Sequence, residues 1–131
     1  MKAITISQPF ASLIASGEKW CENRTWPTSY RGPLAIHAGK GTQYLDRDEL
    51  RDYPTGCVVA VCHLIACVPV GSLQERIRAG MVYDGLTLGQ MQRLLEHEHC
   101  EGPYAFVLDK IQKLDEPIPA KGAQGFWEWV Q

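Results

Sequence analysis

The run from Cys57 to Val68, CVVAVCHLIACV, constrains this chain more than any other feature, because its twelve residues are apolar except for His63. It follows a turn-forming Tyr53-Pro-Thr-Gly56 and ends against Pro69, so it reads as one long strand bounded by chain breakers. A strand of that length bends as it runs around a small barrel, which makes the remaining elements strands and short helices of a compact sheet protein. The run is too short to cross a bilayer as a helix, and no basic region followed by an apolar segment opens the chain. The expected location is the cytosol, or the nucleus of a cell that has one.

A length of 131 residues with 45% hydrophobic and 21% charged residues fits one globular domain, residues 1–131, with a modest core. Its five cysteines are Cys21, Cys57, Cys62, Cys67 and Cys100. They are odd in number and form no CxxC pair, and three of them lie in the apolar run. They therefore read as small hydrophobes in a reducing compartment. The net charge of −2 argues mildly against a nucleic-acid binder, yet it is unevenly spread. Residues 1–40 hold five basic side chains against two acidic ones, a net +3, and the rest of the chain carries −5. Because fields are screened beyond roughly 8 Å at physiological salt, a local basic surface can still attract a phosphate chain. The alternative is that these are ordinary solvated charges.

Along the chain, Ala3 to Ile6 reads as a strand. Ser7 is a cap for a helix running to Ser16, Pro9 fits its first turn and Gly17 stops it. Lys19 to Trp26 reads as a strand with Trp20, Glu22, Arg24 and Trp26 on one face and Cys21, Asn23 and Thr25 on the other. A loop from Pro27 to Gly32 leads to a strand from Pro33 to Ala38. A polar helix capped by Thr42 is expected from about Gln43 to Arg51. Ser72-Leu-Gln-Glu75 and Thr87-Leu-Gly-Gln90 both match the capping box, which places helices at Leu73 to Ala79 and Leu88 to His97. Gly102 to Leu114 and Phe126 to Val130 supply further strands. Five or six strands without regular βαβ alternation indicate an α+β class, a small, mainly antiparallel barrel with peripheral helices.

The chemistry concentrates in Ser7 to Ala38. Lys19, Arg31 and Lys40 suit phosphate, and Arg24 beside Glu22 is either a ligand-binding guanidinium or one half of an internal ion pair. Gln8, at a helix start, either contacts a ligand or serves as a cap. His37 is either a proton-transferring or donating group or a hydrogen-bonded core residue. RNA recognition lays unstacked bases on aromatic or guanidinium planes and holds the backbone with cations, so Trp20 and Trp26 are weighed as stacking platforms against core packing. Trp127 and Trp129 read as core.

Four segments together resemble the ASCH domain superfamily over nearly the whole chain. They are Gln8-Pro9-Phe10-Ala11, the Gly17-x-Lys19-x-x-Glu22-x-Arg24-x-Trp26 strand, Arg31-Gly32, and Ile36-His37-Ala38, with KGAQGFWEW closing the chain. The resemblance implies a PUA-like barrel with a cleft, and binding of RNA or another nucleic acid in transcription, translation or RNA processing. The cleft would be built from Gln8 at the first helix, the Lys19 to Trp26 strand and the Arg31 to Lys40 segment, His37 included. No cofactor or metal is expected.

A hydrolase is the alternative. Small bacterial amidohydrolases of the same superfamily act on acetylcytidine, and Lys19 and Arg24 fall on residues they carry. Glu22 stands where they have a threonine nucleophile, however, and a carboxylate is a poor acyl acceptor. Asp84 is a loose match to their glutamate. Lys19 and Glu22 would be the catalytic pair of an amidohydrolase, working as acid and base on a water; a ribonuclease would use His37 with Lys19. The run His97-Glu98-His99-Cys100 lacks the four well-spaced ligands zinc requires, its histidines being expected on different faces of a helix. A protein-interaction adaptor is the third class, resting on the two capped helices.

Overall fold

The apolar runs become strands and the capped segments short helices in a computed structural model, which describes residues 1–131. In chain order the elements are β1 (Lys2–Ile6), α1 (Phe10–Ser16), β2 (Cys21–Arg24), β3 (Gly32–Ala38), β4 (Cys57–Pro69), α2 (Leu73–Ala79), α3 (Leu88–Glu96), β5 (Tyr104–Pro119) and β6 (Phe126–Glu128). The strands form a single sheet in the order β2-β5-β4-β3-β1-β6. β1 runs parallel to β3, with Thr5 opposite His37, and antiparallel to β6. β2 is antiparallel to β5, with Cys21 opposite Val107 and Glu22 opposite Phe106. This is the expected α+β class, a PUA-like mixed sheet with three helices.

The chain divides into two compact units. The first comprises Met1–Lys19, Pro33–His63 and Lys110–Gln131. Its core includes Ala3, Ala35, Val58 and Trp129, with Trp127 and Leu114 packed against them. The second comprises Trp20–Gly32 and Leu64–Asp109. Here Cys21, Ala66, Val68, Ala105 and Val107 of the strands meet Leu73 of α2 and Met91 and Leu94 of α3. β4 and β5 run through both units. From Cys62 onward β4 alternates strictly, burying Cys62, Leu64, Ala66 and Val68 while Val61, His63, Ile65 and Cys67 are half-buried, as a pleated strand with one covered face must.

Several expected elements differ. The polar helix at 43–51 does not form; only a single 3₁₀ turn, Glu49–Arg51, appears there. With six of its nine residues charged or amide-bearing and no continuous apolar stripe to pack, the stretch cannot offset the cost of helix nucleation. Of the two capping boxes, Thr87 forms its own, accepting from Gln90 N at 3.1 Å while Gln90 Oε1 accepts from Thr87 N at 2.7 Å. Ser72 does not, because its φ and ψ of −101° and 0° are helical rather than extended, which aims the hydroxyl away from the N3 amide. The Ser72 hydroxyl instead donates to Pro69 O at 3.0 Å and meets Tyr83 Oη. Ser7 does not cap α1 with its side chain; its carbonyl accepts from Ala11 N at 3.2 Å.

Candidate functional site

In the first unit, a helix start and a histidine cluster hold three of the residues singled out by the sequence. Gln8 is fully buried, and its carboxamide does the capping that Ser7 was expected to do. Its Oε1 accepts from Ser12 N at 2.9 Å, and its Nε2 donates to Ser12 Oγ and to Pro54 O, both at 2.8 Å. Ala11 and Leu13 N–H groups bond to Ser7 and Pro9 carbonyls, so the first-turn donors are already engaged. Lys19 is only 4% exposed, with its Nζ 5.6 Å from the centre of the Phe10 ring, a geometry in which the ring face attracts the ammonium. It is not the surface cation that a phosphate contact implies.

His37 is 2% exposed. Its Nε2 lies 2.7 Å from Ala120 O, which can only accept, so Nε2 carries the proton. Nδ1 then accepts from Thr5 Oγ1 at 3.1 Å, and Thr5 Oγ1 accepts from Trp127 Nε1 at 3.0 Å. The Trp127 ring stands edge-on to the imidazole, 5.3 Å between centres. Of the two roles weighed for His37, the structure supplies the hydrogen-bonded core residue, with both nitrogens in use. Lys40 is exposed in the loop after β3.

The second unit holds Glu22 and Arg24 on one face of β2. Arg24 donates to a single carboxylate oxygen of Glu22, Nε at 3.0 Å and Nη2 at 2.8 Å to Oε2. The side chains are 11% and 22% exposed for Glu22 and Arg24, so the guanidinium is held in one plane while keeping access to solvent. Trp26, half-buried, stands edge-on to Phe106 at 5.2 Å. Arg31 is exposed and folds Nη1 onto the carbonyls of Thr28 and Tyr30, at 3.0 and 2.8 Å. Asp84 is exposed in a turn.

Trp20 departs from the expected alternation. Side-by-side pairing of β2 begins at Cys21, and Trp20 keeps only its carbonyl in that ladder, accepting from Leu108 N at 2.9 Å. Its ring packs with Cys21 in the α2 and α3 cluster and stacks on His97, 4.6 Å and 14° between planes. His97 and His99 are not on different faces of a helix, since α3 ends at Glu96 and their rings meet edge to face at 5.5 Å. The sequence reading also passed over Asn23. Its Nδ2 donates to His99 O at 2.7 Å, and its Oδ1 accepts from Glu101 N and Gly102 N at 3.0 and 2.9 Å. Nothing in a lone Asn on a strand signals three loop contacts some eighty residues away.

The cysteines are free thiols. A hydrogen bond with Cys21 draws the Cys100 thiol below its ordinary range, partly opposed by burial, and burial pushes Cys57 up. No helix is long and apolar enough to cross a membrane.

The chain is similar to activating signal cointegrator 1 of Homo sapiens, 25% identical, and of Mus musculus, 26% identical. Each match covers 95% of this chain but only 22% of the cointegrator, so the chain spans about a fifth of the length of these relatives. Among solved structures, an ASCH protein from Zymomonas mobilis shares the fold with a TM-score of 0.57 at 20% identity, covering 99% of this chain and 87% of that one. A serine-to-alanine mutant of that bacterial protein gives 0.56 at 22% identity, again over 99% and 87%. The ASCH domain model itself matches residues 4–115, from within β1 to within β5, and this chain therefore belongs to the ASCH domain family.

Proposed function

We propose that this domain binds RNA or another nucleic acid, in the cytosol or nucleus, in a step of transcription, translation or RNA processing. The observation that carries the reading is the Glu22–Arg24 pair: a guanidinium oriented by two bonds to one oxygen, nearly buried yet still 22% exposed. A guanidinium fixed in this way loses little further freedom when it meets a phosphate or stacks on a base. Glu22 has the orienting role, Arg31 and Lys40 are the exposed cations for phosphate, and Lys19 is suited to a base carbonyl rather than the backbone. Gln8 and His37 support the architecture of the first unit. Family membership and the cointegrator names of the relatives favour the same class.

The test is binding of short single-stranded RNA, structured RNA and DNA at two salt concentrations, in the native protein and in Arg24→Ala and Arg31→Ala. For single strands the logarithmic salt slope is expected to fall by about 0.7 for each phosphate contact removed. Unchanged affinity and slope in Arg24→Ala would remove Arg24 from the interface. Chromatography of the same mixtures and of acetylcytidine addresses the hydrolase alternative: turnover abolished by Lys19→Ala would replace binding with catalysis. The adaptor alternative draws on exposed Met81, Val82 and Leu95 around α2 and α3, and absence of both binding and turnover would favour it.

A further inference from the structure

In the second unit, the loop after α3 is tied to β2 around a pair of thiols. Cys21 and Asn23 share one face of β2, and both reach the same carbonyl. Cys21 Sγ lies 3.4 Å and Asn23 Nδ2 2.7 Å from His99 O. Asn23 Oδ1 accepts from Glu101 N and Gly102 N at 3.0 and 2.9 Å, and Cys100 N donates to His97 O at 3.0 Å. The backbone on both sides of Cys100 is therefore anchored, and its side chain packs against the cluster that contains Cys21. There the two thiols are hydrogen-bonded to each other. Cys21 is fully buried and Cys100 half-buried, so what solvent touches of the pair belongs to Cys100. No other thiol competes in this cluster. Cys67 alternates with Ala66 and Val68, the β4 residues that face it, and Cys57 and Cys62 belong to the first unit.

We propose that Cys21 and Cys100 are a redox site, forming a reversible disulfide on exposure to hydrogen peroxide that clamps the 97–102 loop to β2. Cys100 is the attacking group. Its thiol is drawn below the ordinary range by the hydrogen bond with Cys21, partly opposed by burial, so the nucleophilic thiolate is available at lower pH. The thiolate attacks one peroxide oxygen; an S–O bond forms, the O–O bond breaks, and the departing hydroxide takes a proton from solvent to leave as water. Cys21 then attacks the sulfur of the resulting sulfenic acid. The S–S bond forms, the S–O bond breaks, and hydroxide leaves with the Cys21 proton as a second water. Together the two thiols give up two electrons and two protons, and one peroxide is reduced to two waters. Such transient, oxidant-driven bonds are the kind found in reducing compartments. The clamp lies on the face of β2 opposite Glu22 and Arg24, and the proposal does not depend on the nucleic-acid reading.

The experiment treats the folded, fully reduced chain with excess hydrogen peroxide, counts the thiols left after denaturation, and maps the products by peptide mass spectrometry without reductant. Two of the five thiols should disappear together, recovered as a linked Cys21–Cys100 peptide within the monomer, and dithiothreitol should restore both. Cys21→Ala removes the resolving thiol and should leave a sulfenic acid on Cys100 that dimedone captures. Cys100→Ser should leave Cys21 unmodified under the same treatment. The oxidised protein should melt roughly 5 °C higher than the reduced one, because the crosslink closes a long loop in the unfolded chain. Peroxide acting on a thiol that merely happens to be accessible would not raise the melting temperature. Oxidation of Cys100 beyond sulfenic acid while Cys21 is present, or a bond to any other cysteine or between two chains, would overturn the pairing. Survival of all five thiols, or a lower melting temperature in the oxidised form, would overturn it equally.

Discussion

His37 and Asp109 are both polar side chains on strands of the sheet, each beside a tryptophan, but their hydrogen bonding differs. His37 has both nitrogens engaged, by Thr5 and Ala120, and Trp127 completes the cluster through Thr5. Asp109 leaves one buried oxygen without a donor. A saturated polar cluster spends its hydrogen-bonding capacity on the fold and has little left for a ligand; an unsaturated one destabilises the free protein slightly and gains most when something binds. By this standard His37 and Gln8 hold the first unit together. Arg24, held in place yet still open to solvent, is where ligand chemistry should be sought in the second.

The contrast is broken most directly at His37. His37→Ala should cost about 3 kcal/mol, from the cavity and from the stranded Ala120 carbonyl and Thr5 hydroxyl, read as a lower urea midpoint at constant slope. Nucleic-acid affinity should survive wherever the variant remains folded. A loss under about 1 kcal/mol accompanied by lost binding would make His37 a ligand group. Next comes Gly122, where an added methyl would lie 2.5 Å from Thr5 Oγ1 and 2.7 Å from His37 Cε1. Gly122→Ala should therefore destabilise by about 2 kcal/mol, and a neutral result in thermal unfolding would show that the cluster yields easily.

Smaller effects test the second unit. Thr87→Ala should cost about 1 kcal/mol through loss of the α3 cap, while Ser72→Ala should cost less through that route, since Ser72 caps nothing; denaturant unfolding of the two variants separates them. Smallest is a difference in reactivity. Cys100, with its thiol drawn down by Cys21, has thiolate at a lower pH than usual, whereas Cys57, pushed up by burial, stays protonated longer. As pH is raised, iodoacetamide should therefore label Cys100 before Cys57 in the folded protein, as mapped by mass spectrometry. The reverse order would mean that access outweighs ionisation.

Much of the fold was legible because local rules and tertiary packing agree. α2 falls on Leu73–Ala79 as its pattern requires, Thr87 caps α3, and Gly17 ends α1 at a φ of 87°, a left-handed conformation that glycine enters without a steric penalty. Where the rules failed, a distant partner was decisive. Tyr83 and Pro69 hold the Ser72 hydroxyl, and His97 holds Trp20 out of alternation. Of the site, the pairing of Glu22 with Arg24 was open to sequence reasoning, because residues two apart on a strand share a face. The burial of Lys19 and the unmet oxygen of Asp109 were not.

The sequence by itself determined most strand and helix segments, the stretch at 43–51 excepted, where the thiols lie, and that acid and base would meet on β2, because these follow from spacing along one chain. Tertiary structure alone decided which polar groups are left with unmet hydrogen-bonding capacity. Thr5, Ala120 and Trp127 reach His37 from far along the chain, and no such donor reaches Asp109 Oδ1. Satisfaction of a buried polar atom depends on three-dimensional neighbours at hydrogen-bond distance, and linear spacing carries no record of them.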